Sequence, residues 1–347
     1  MENKEKKRGQ GLLSTFWNVQ ESGVVVVTVL FVILITIVNS AFMSSANLTN
    51  VFRSTGFTLV TAIGMTLVFI SGGLDISVGS TLAVGSTVTA LGVKAGQPPV
   101  LAIILGLLSG LVIGMFNGIT IISLKIPPLI VTLGTQYAGR GIVYVLTEGV
   151  AVYPLTKEFQ RLEQGNVFGI PQIALIAFML AIIAHIVLTR TTFGRSVYAV
   201  GGNKEAARLS GINLNRVSIA CYAITGVCAA FAGIMMASRL GSGQASSGEG
   251  YEMTVIAAVI IGGTSATGGA GTILGTTIGA LFMNILENSM TLMRISVYWQ
   301  KIVLGLILIL AVIFDQYKRN RAMRVGMDQL KAKAAECTGQ QKGGPNG

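Results

Sequence analysis

Residues 190–216, RTTFGRSVYAVGGNKEAARLSGINLNR, concentrate groups that a partner could grip. Arg190, Arg195, Lys204, Arg208 and Arg216 stand there against a single acid, Glu205. Glu205, Ala206 and Ala207 run together, followed by Arg208 and, three residues on, by Gly211. Glu205 to Leu209 are good helix formers, and a glycine such as Gly211 can end a short helix in the left-handed conformation. The chemistry on offer is mechanical: a short charged helix that a soluble protein can hold and push. A second set of polar residues sits in apolar surroundings. Asn117, Gln136 and Asn284 are amides that can hydrogen-bond either a neutral solute or a neighbouring helix. Asp75 is spaced to cap the helix after it, its carboxylate turned to the free N–H groups, or to act in a gate, and Ser77 lies in the same broken stretch. Arg140 and Glu287 are ionisable groups at membrane depth, where burial is expensive and function is the default hypothesis unless they pair or snorkel.

Catalytic and metal constellations do not appear. There is no G-x-x-x-x-G-K-[ST], so the chain is not expected to hold an ATPase site of its own, and there is no H-E-x-x-H or G-x-S-x-G. His185 is the one histidine, read as packed or interfacial near a helix end, which leaves no histidine-rich metal site. Cys221, Cys228 and Cys337 are too few and too scattered for a disulfide framework. No metal and no cofactor is expected in the chain.

The elements that must position these residues follow from composition. Of 347 residues, 52% are hydrophobic and 11% charged, against about 25% charged in soluble domains. The expected fold is all-α and polytopic, with about ten membrane spans at 23–42, 55–71, 76–93, 99–122, 127–147, 171–189, 217–239, 252–266, 271–291 and 297–315. Glycines and polar residues interrupt the third and eighth. Lys4, Lys6, Lys7 and Arg8 precede the first span, and Lys318, Arg319, Arg321 and Arg324 follow the last. With 190–216 they make three basic clusters of one parity, which places both ends and that loop in the cytoplasm and 148–170 outside. The net charge of +11 is explained by those positions, so no nucleic-acid partner is expected. The run Val24–Val38 has no clear cleavage site after it and reads as a span. The division is a cytoplasmic tail at 1–20, a membrane domain at 21–320 and a polar, disordered cytoplasmic tail at 321–347.

Glycine spacing adds two expectations. Gly106, Gly110, Gly114 and Gly118, and again Gly271, Gly275 and Gly279, recur every four residues, which suits close helix packing first and a moving interface between helices second. Two glycine-rich segments, 71–79 and 262–271, read as broken. At an offset of 190 residues, Gly72, Gly73, Gly79 and Gly85 fall on Gly262, Gly263, Gly269 and Gly275, the trace of an internal repeat. Irregular backbone at membrane depth must be buried in protein or line a wet cavity, so both breaks are candidates for a gate or a path.

Taken together, several segments resemble the ribose-type sugar permeases of the ATP-binding cassette (ABC) importers. They are Gly64-Met-Thr-Leu-Val68, Gly72-Gly-Leu-Asp-Ile-Ser-Val-Gly-Ser80, Thr192-Phe-Gly-Arg-Ser196 and Ala199-Val-Gly-Gly-Asn-Lys-Glu-Ala-Ala-Arg-Leu-Ser-Gly-Ile212. Further on come Gly250-Tyr-Glu252, Ile256-Ala-Ala258, Gly262-Gly-Thr-Ser265 and Gly268-Gly-Ala-Gly-Thr272, so the likeness runs from about residue 20 to 320. Segment 285–317 is also similar to arabinose-type relatives. The resemblance implies a permease subunit in a bacterial cytoplasmic membrane, whose Glu205, Ala206, Ala207, Arg208 and Gly211 couple it to an ATPase. It implies a second permease copy, a partner ATPase with two nucleotide sites that uses ATP and Mg, and an extracytoplasmic sugar-binding protein that largely chooses the sugar, with ribose the leading candidate. Asn215-Arg216 departs from the Leu-Pro ending of some importer loops. Under this reading Asp75, Ser77, Asn117, Gln136, Arg140 and Asn284 are gate or pathway residues. The rival readings are an ion-coupled carrier of a small polar solute, against which the lack of an acid at the centre of a span speaks, and a membrane enzyme.

Overall fold

In the computed structural model, residues 22–167 and 169–317 are described. The tail at 1–20, the tail at 321–347 and the two terminal basic clusters lie outside the described residues. The chain forms helices α1 (Ser22–Val38), α2 (Ser45–Ile70), α3 (Val78–Lys94), α4 (Pro99–Ser123), α5 (Pro128–Thr147) and α6 (Lys157–Gln164). They continue as α7 (Gln172–Arg190), α8 (Thr192–Gly202), α9 (Lys204–Leu209), α10 (Leu214–Leu240), α11 (Tyr251–Ile261), α12 (Ile273–Leu292) and α13 (Val297–Tyr317). A single 3₁₀ turn, Ser40–Met43, links α1 to α2, and a two-residue hairpin pairs Asn166–Val167 with Ile170–Pro171.

Local sequence sets most boundaries. Ser44, Asn213 and Thr272 cap α2, α10 and α12 by accepting from Asn47, Arg216 and Gly275 N–H groups. Pro99 and Pro128 open α4 and α5, where a missing N–H removes nothing the helix uses. Each of the ten expected spans contains one helix. Six of them, α2, α4, α5, α7, α10 and α13, are long and apolar enough to cross a membrane. The other four do not fix the count of ten. Helix α11 is 11 residues long, about 16 Å at 1.5 Å per residue, roughly half a hydrocarbon core of about 30 Å. The eighth expected span therefore stops at Ile261, and 262–266 is not helical.

Helix α10 is the central post, packed on α2, α3 and α4. The first glycine ladder explains the closest of these contacts. A Cβ on Gly110 would meet the Gly226 carbonyl, one on Gly114 the Tyr222 carbonyl, and one on Gly118 the Ile219 backbone. The ladder is a packing surface, as spacing alone led us to expect. In the second ladder Gly275 and Gly279 press α12 onto Gly262 and Ala258, but Gly271 precedes the helix and drops out of the series. Helix α13 rests Leu304, Leu308 and Ala311 against the bundle and exposes Leu306, Leu310 and Phe314, and α1 presents an exposed run including Leu30, Leu34 and Ile37, surfaces suited to lipid.

Two stretches of backbone enter the bundle without helical structure. One is 71–77, which leaves the end of α2 and leads to α3. The other is 241–250, GSGQASSGEG, which leaves α10 and leads to α11. The 27 residues of α10 put about 40 Å between Leu214, next to the short helix α9, and Gly241. The second stretch therefore enters from the opposite side. It bonds Leu155 and Val152 at Gly241 and Gly243, passes Ser86 and Ala90 of α3, and reaches Gly79 at Gly248. Thus α3 and α11 both begin inside the bundle, side by side.

On that opposite side, α6 closes over the bundle with Phe159 and Glu163 buried. Glu163 forms an ion pair with Arg53 of α2 at 2.6 Å. Burial pushes the Glu163 carboxyl up, and the charges of Arg53 and Arg239 draw it back down. Glu163→Gln leaves two guanidinium groups facing each other without a counter-charge. Breaking a buried pair costs about 3–5 kcal/mol; Arg53 keeps some solvent contact, so about 2 kcal/mol is expected. The check is thermal unfolding of the detergent-purified chain. An unchanged midpoint would show that this pair does not anchor α6.

Candidate functional site

The segment 190–216 folds as two short helices in series, α8 and α9. Sequence gave one of them: α9 spans Lys204–Leu209, with Asn203 accepting from the Ala206 N–H at its start. Gly211 ends it at φ +79, with its N–H on the Arg208 carbonyl and the Ile212 N–H on the Ala207 carbonyl, the paired bonds of a Schellman end. Glu205 and Arg208 pair at 2.9 Å on the exposed face, Ala207 is buried against the rest of the chain, and Leu209 is 82% exposed. The helix thus offers a partner one apolar knob beside a compensated ion pair. Helix α8 was not expected from sequence, because its Gly194, Gly201 and Gly202 weaken its helical signal.

Helix α8 carries the segment 190–216 onto both glycine-rich breaks. Its Gly201 lies so close to the end of α2 that a Cβ would collide with the Ile70 carbonyl and the Gly269 nitrogen. The Gly269 N–H bonds that same Ile70 carbonyl at 2.9 Å. A Cβ on Gly268 would meet Gly72, and one on Gly269 would meet Gly202. Tyr198 of α8 donates its hydroxyl to the Gly271 carbonyl at 2.7 Å. Three backbone segments, distant in sequence, therefore touch without side chains between them. Both breaks also end their helices alike. Ser71, Gly72 and Gly73 donate to Leu67, Phe69 and Val68, and Gly262, Gly263 and Thr264 donate to Ala258, Ile260 and Val259. Gly72 and Gly263 share the left-handed conformation at φ +79 and +87. The structural match is at an offset of 191, one residue from the offset of 190 that glycine matching gives. The alignment of Gly79 with Gly269 fails as well, since one is helical and the other is in a loop.

At the start of α3 the structure brings together four of the six candidate pathway residues. Asp75 Oδ1 accepts from the Ser77 N–H at 2.9 Å and the Ser77 hydroxyl at 2.6 Å. Asn117 donates to Ser77 Oγ at 2.8 Å and accepts from Thr135 at 2.6 Å. Gln136 Oε1 accepts from the Ser80 N–H at 2.9 Å. Asp75, Ser77, Ser80 and Asn117 are all buried. The expected cap is thereby corrected. Asp75 closes a turn before the helix, and the first-turn N–H of Ser80 is satisfied from another helix, by Gln136 of α5. One turn further along α5, Arg140 bonds the Ala245 and Ser247 carbonyls of the entering stretch 241–250. It supplies donors to backbone that no helix or sheet serves, which is the condition for such backbone to exist at membrane depth.

Asn284 stands apart. It donates to Ala280 and accepts from Thr58 at 3.3 Å between α2 and α12, on another side of the bundle. Nearby, Glu287 accepts from Thr254 at 2.8 Å. Sequence reasoning missed Glu252 and the stretch 241–250. The carboxylate of Glu252 lies against Gly79, where α3 and α11 begin together. Asp75 and Glu252 are thus acids inside the bundle, though neither stands at the centre of a span. They sit at helix starts, where the dipole favours them. The Gly/Ser-rich composition of GSGQASSGEG was the available signal. Among the described residues no cluster of His, Cys, Asp and Glu is built to hold a metal ion.

Comparison with known proteins places this architecture. Residues 47–312 match the family model described as "Branched-chain amino acid transport system / permease component". The ribose import permease protein RbsC of Bacillus subtilis (strain 168) is 40% identical over 291 residues, covering 83% of this chain and 90% of that protein. RbsC of Escherichia coli (strain K12) is 36% identical over 315 residues, covering 90% and 98%. The xylose transport system permease protein XylH of Escherichia coli (strain K12) is 36% identical over 346 aligned positions, covering 82% and 88%. No solved structure matches with significance. A family match across most of the chain, near-complete coverage of ribose and xylose permeases, and a multi-pass helical bundle leave one assignment: the chain belongs to the branched-chain amino acid transport system / permease component family, among its ribose-type sugar ABC permeases.

Proposed function

We propose that this chain is the membrane permease subunit of an ABC importer that moves a monosaccharide, a pentose such as ribose before others, into the cytoplasm. It works as one of two permease copies in the bacterial cytoplasmic membrane, in contact with membrane lipid. A separate ATPase with two nucleotide sites uses ATP and Mg, and an extracytoplasmic binding protein delivers the sugar. Glu205, Ala206, Ala207, Arg208 and Gly211 form the contact with the ATPase. Asp75, Ser77, Asn117, Gln136 and Arg140 lie where the path opens or shuts, and Asn284 takes a supporting position between α2 and α12.

The observation that carries this reading is the contact of Gly201 with Ile70 and Gly269. Movement of the ATPase acts on α9, passes to α8, and reaches both breaks through rigid backbone. Close packing without soft side chains transmits displacement rather than absorbing it. The energy then comes from ATP hydrolysis in the partner, and Asp75, held by both Ser77 donors, need not carry an ion.

The test is reconstitution of the chain with its ATPase and binding protein in proteoliposomes. Ribose uptake should require ATP, and the chain purified alone should hydrolyse none. Uptake that proceeds without ATP and collapses with an ionophore would establish the ion-coupled carrier instead.

A further inference from the structure

A cavity of about 200 Å³ opens between the far end of α5 and the stretch 241–250, lined by Tyr144, Gly149, Ala151, Gln244, Ala245 and Ser246. It lies on the side of the bundle opposite α8 and α9. Its volume falls below the roughly 300–1,000 Å³ of sites for drug-sized ligands, which suits one sugar ring and not a chain of them. No charged side chain lines it, so it is suited to a neutral ligand. Tyr144, 46% exposed, presents an aromatic surface, the kind of wall on which the C–H face of a sugar packs.

The polar groups around this cavity are of both kinds that a polyhydroxylated ligand needs. Gln244 donates to Ser242 Oγ at 3.2 Å, which leaves its carbonyl oxygen as an acceptor. The N–H groups of Ala245 and Ser246 reach no acceptor among the described residues. Arg140 explains how they are held. It binds the Ala245 carbonyl, and in a planar trans peptide the following N–H, that of Ser246, points the other way. Gln136, Arg140 and Tyr144 recur every four residues on α5, so one helix face links the cavity to the Arg140 clamp and then to the buried cluster at Ser80.

We propose that this cavity is the receiving site for a neutral monosaccharide on the outer side, with Tyr144 as its platform, Gln244 and the Ala245 and Ser246 N–H groups as its hydroxyl partners, and Arg140 as the residue that positions the stretch carrying them. Inward passage then requires 241–250 to move and Arg140 to release the Ala245 and Ser247 carbonyls. The choice of sugar as ligand rests on the importer reading above; the location of the site rests on the cavity.

The experiment uses the complete importer in proteoliposomes, with labelled ribose and xylose and a parallel ATPase assay. Tyr144→Ala should lower sugar uptake about tenfold while hydrolysis stimulated by the binding protein stays near wild type. Tyr144→Phe should restore uptake, since the ring and not the hydroxyl is required. In a Ser246→Cys variant, a membrane-impermeant methanethiosulfonate added outside should react with the new thiol, and millimolar ribose or xylose should slow the reaction. Wild-type uptake in Tyr144→Ala, together with thiol labelling that neither sugar slows, overturns the site and leaves the importer reading standing. A wild-type complex that carries neither sugar overturns the sugar assignment for importer and cavity alike.

Discussion

Replacing Gly201 by valine should cut sugar uptake by at least tenfold while the complex still assembles and hydrolyses ATP. The argument is steric. A side chain at this position has to enter space already held by the Ile70 carbonyl and the Gly269 nitrogen, both backbone atoms. Neither can turn away as a long side chain would, so α8 must lift from the ends of α2 and the 262–271 segment. The coupling helices would then move without the breaks following. Such overpacking costs about 1–3 kcal/mol in well-packed interiors, spent here at the joint and not in the hydrophobic core. Because a valine could also lower expression, Tyr198→Phe gives a milder version. It removes only the 2.7 Å bond to the Gly271 carbonyl, worth about 1 kcal/mol, and should lower the number of sugars moved per ATP about fivefold without loss of protein. Wild-type coupling in both variants would show that force does not pass through this junction.

Gly211→Val should uncouple transport to a similar extent by a different physical route. Nothing lies within 4 Å of a Cβ built at Gly211, so no clash occurs. The obstacle is the backbone, which holds φ at +79 to end α9. A β-branched residue tolerates that region badly, and left-handed backbone costs ordinary residues about 1–2 kcal/mol. The variant should lose the end of α9, displace Leu209 and weaken co-purification of the ATPase. Gly211→Asn should behave close to wild type, since asparagine enters the left-handed region readily. If valine and asparagine are equally harmful, side-chain bulk at the partner interface is the cause and the conformational account falls. Glu205→Lys belongs to the same experiment. The exposed pair with Arg208 contributes little to stability, so the fold should survive, while a cation is placed near a helix N-terminus, where the dipole disfavours it. Reduced uptake with normal expression is the expected outcome.

The sequence by itself determined the all-α membrane character, the positions of the ten helical segments to within several residues at most ends, and the local form of α9 with its glycine stop. These depend on short-range physics: apolar runs that partition into lipid, caps that reach two or three residues, and a glycine that adopts positive φ. Recurrent glycines likewise announced the seam of α4 against α10, because absence of a side chain is a property each residue carries with it. The tertiary structure alone decided the rest. Gln136 satisfies a first-turn N–H of α3 from 56 residues away, and Arg140 serves carbonyls 105 and 107 residues ahead of it. Whether an intramembrane amide faces a solute, a helix end or its own helix cannot follow from its neighbours in sequence; Asn117, Gln136 and Asn284 look alike there and share no partner in space. The same holds for 241–250, whose polar backbone is unstable in lipid on its own and becomes possible only because α3 packs along it and Arg140 binds it. The register of the two breaks was ambiguous for a related reason: consecutive glycines are interchangeable as letters, and only the hydrogen bonds that end each helix show that Gly72 corresponds to Gly263.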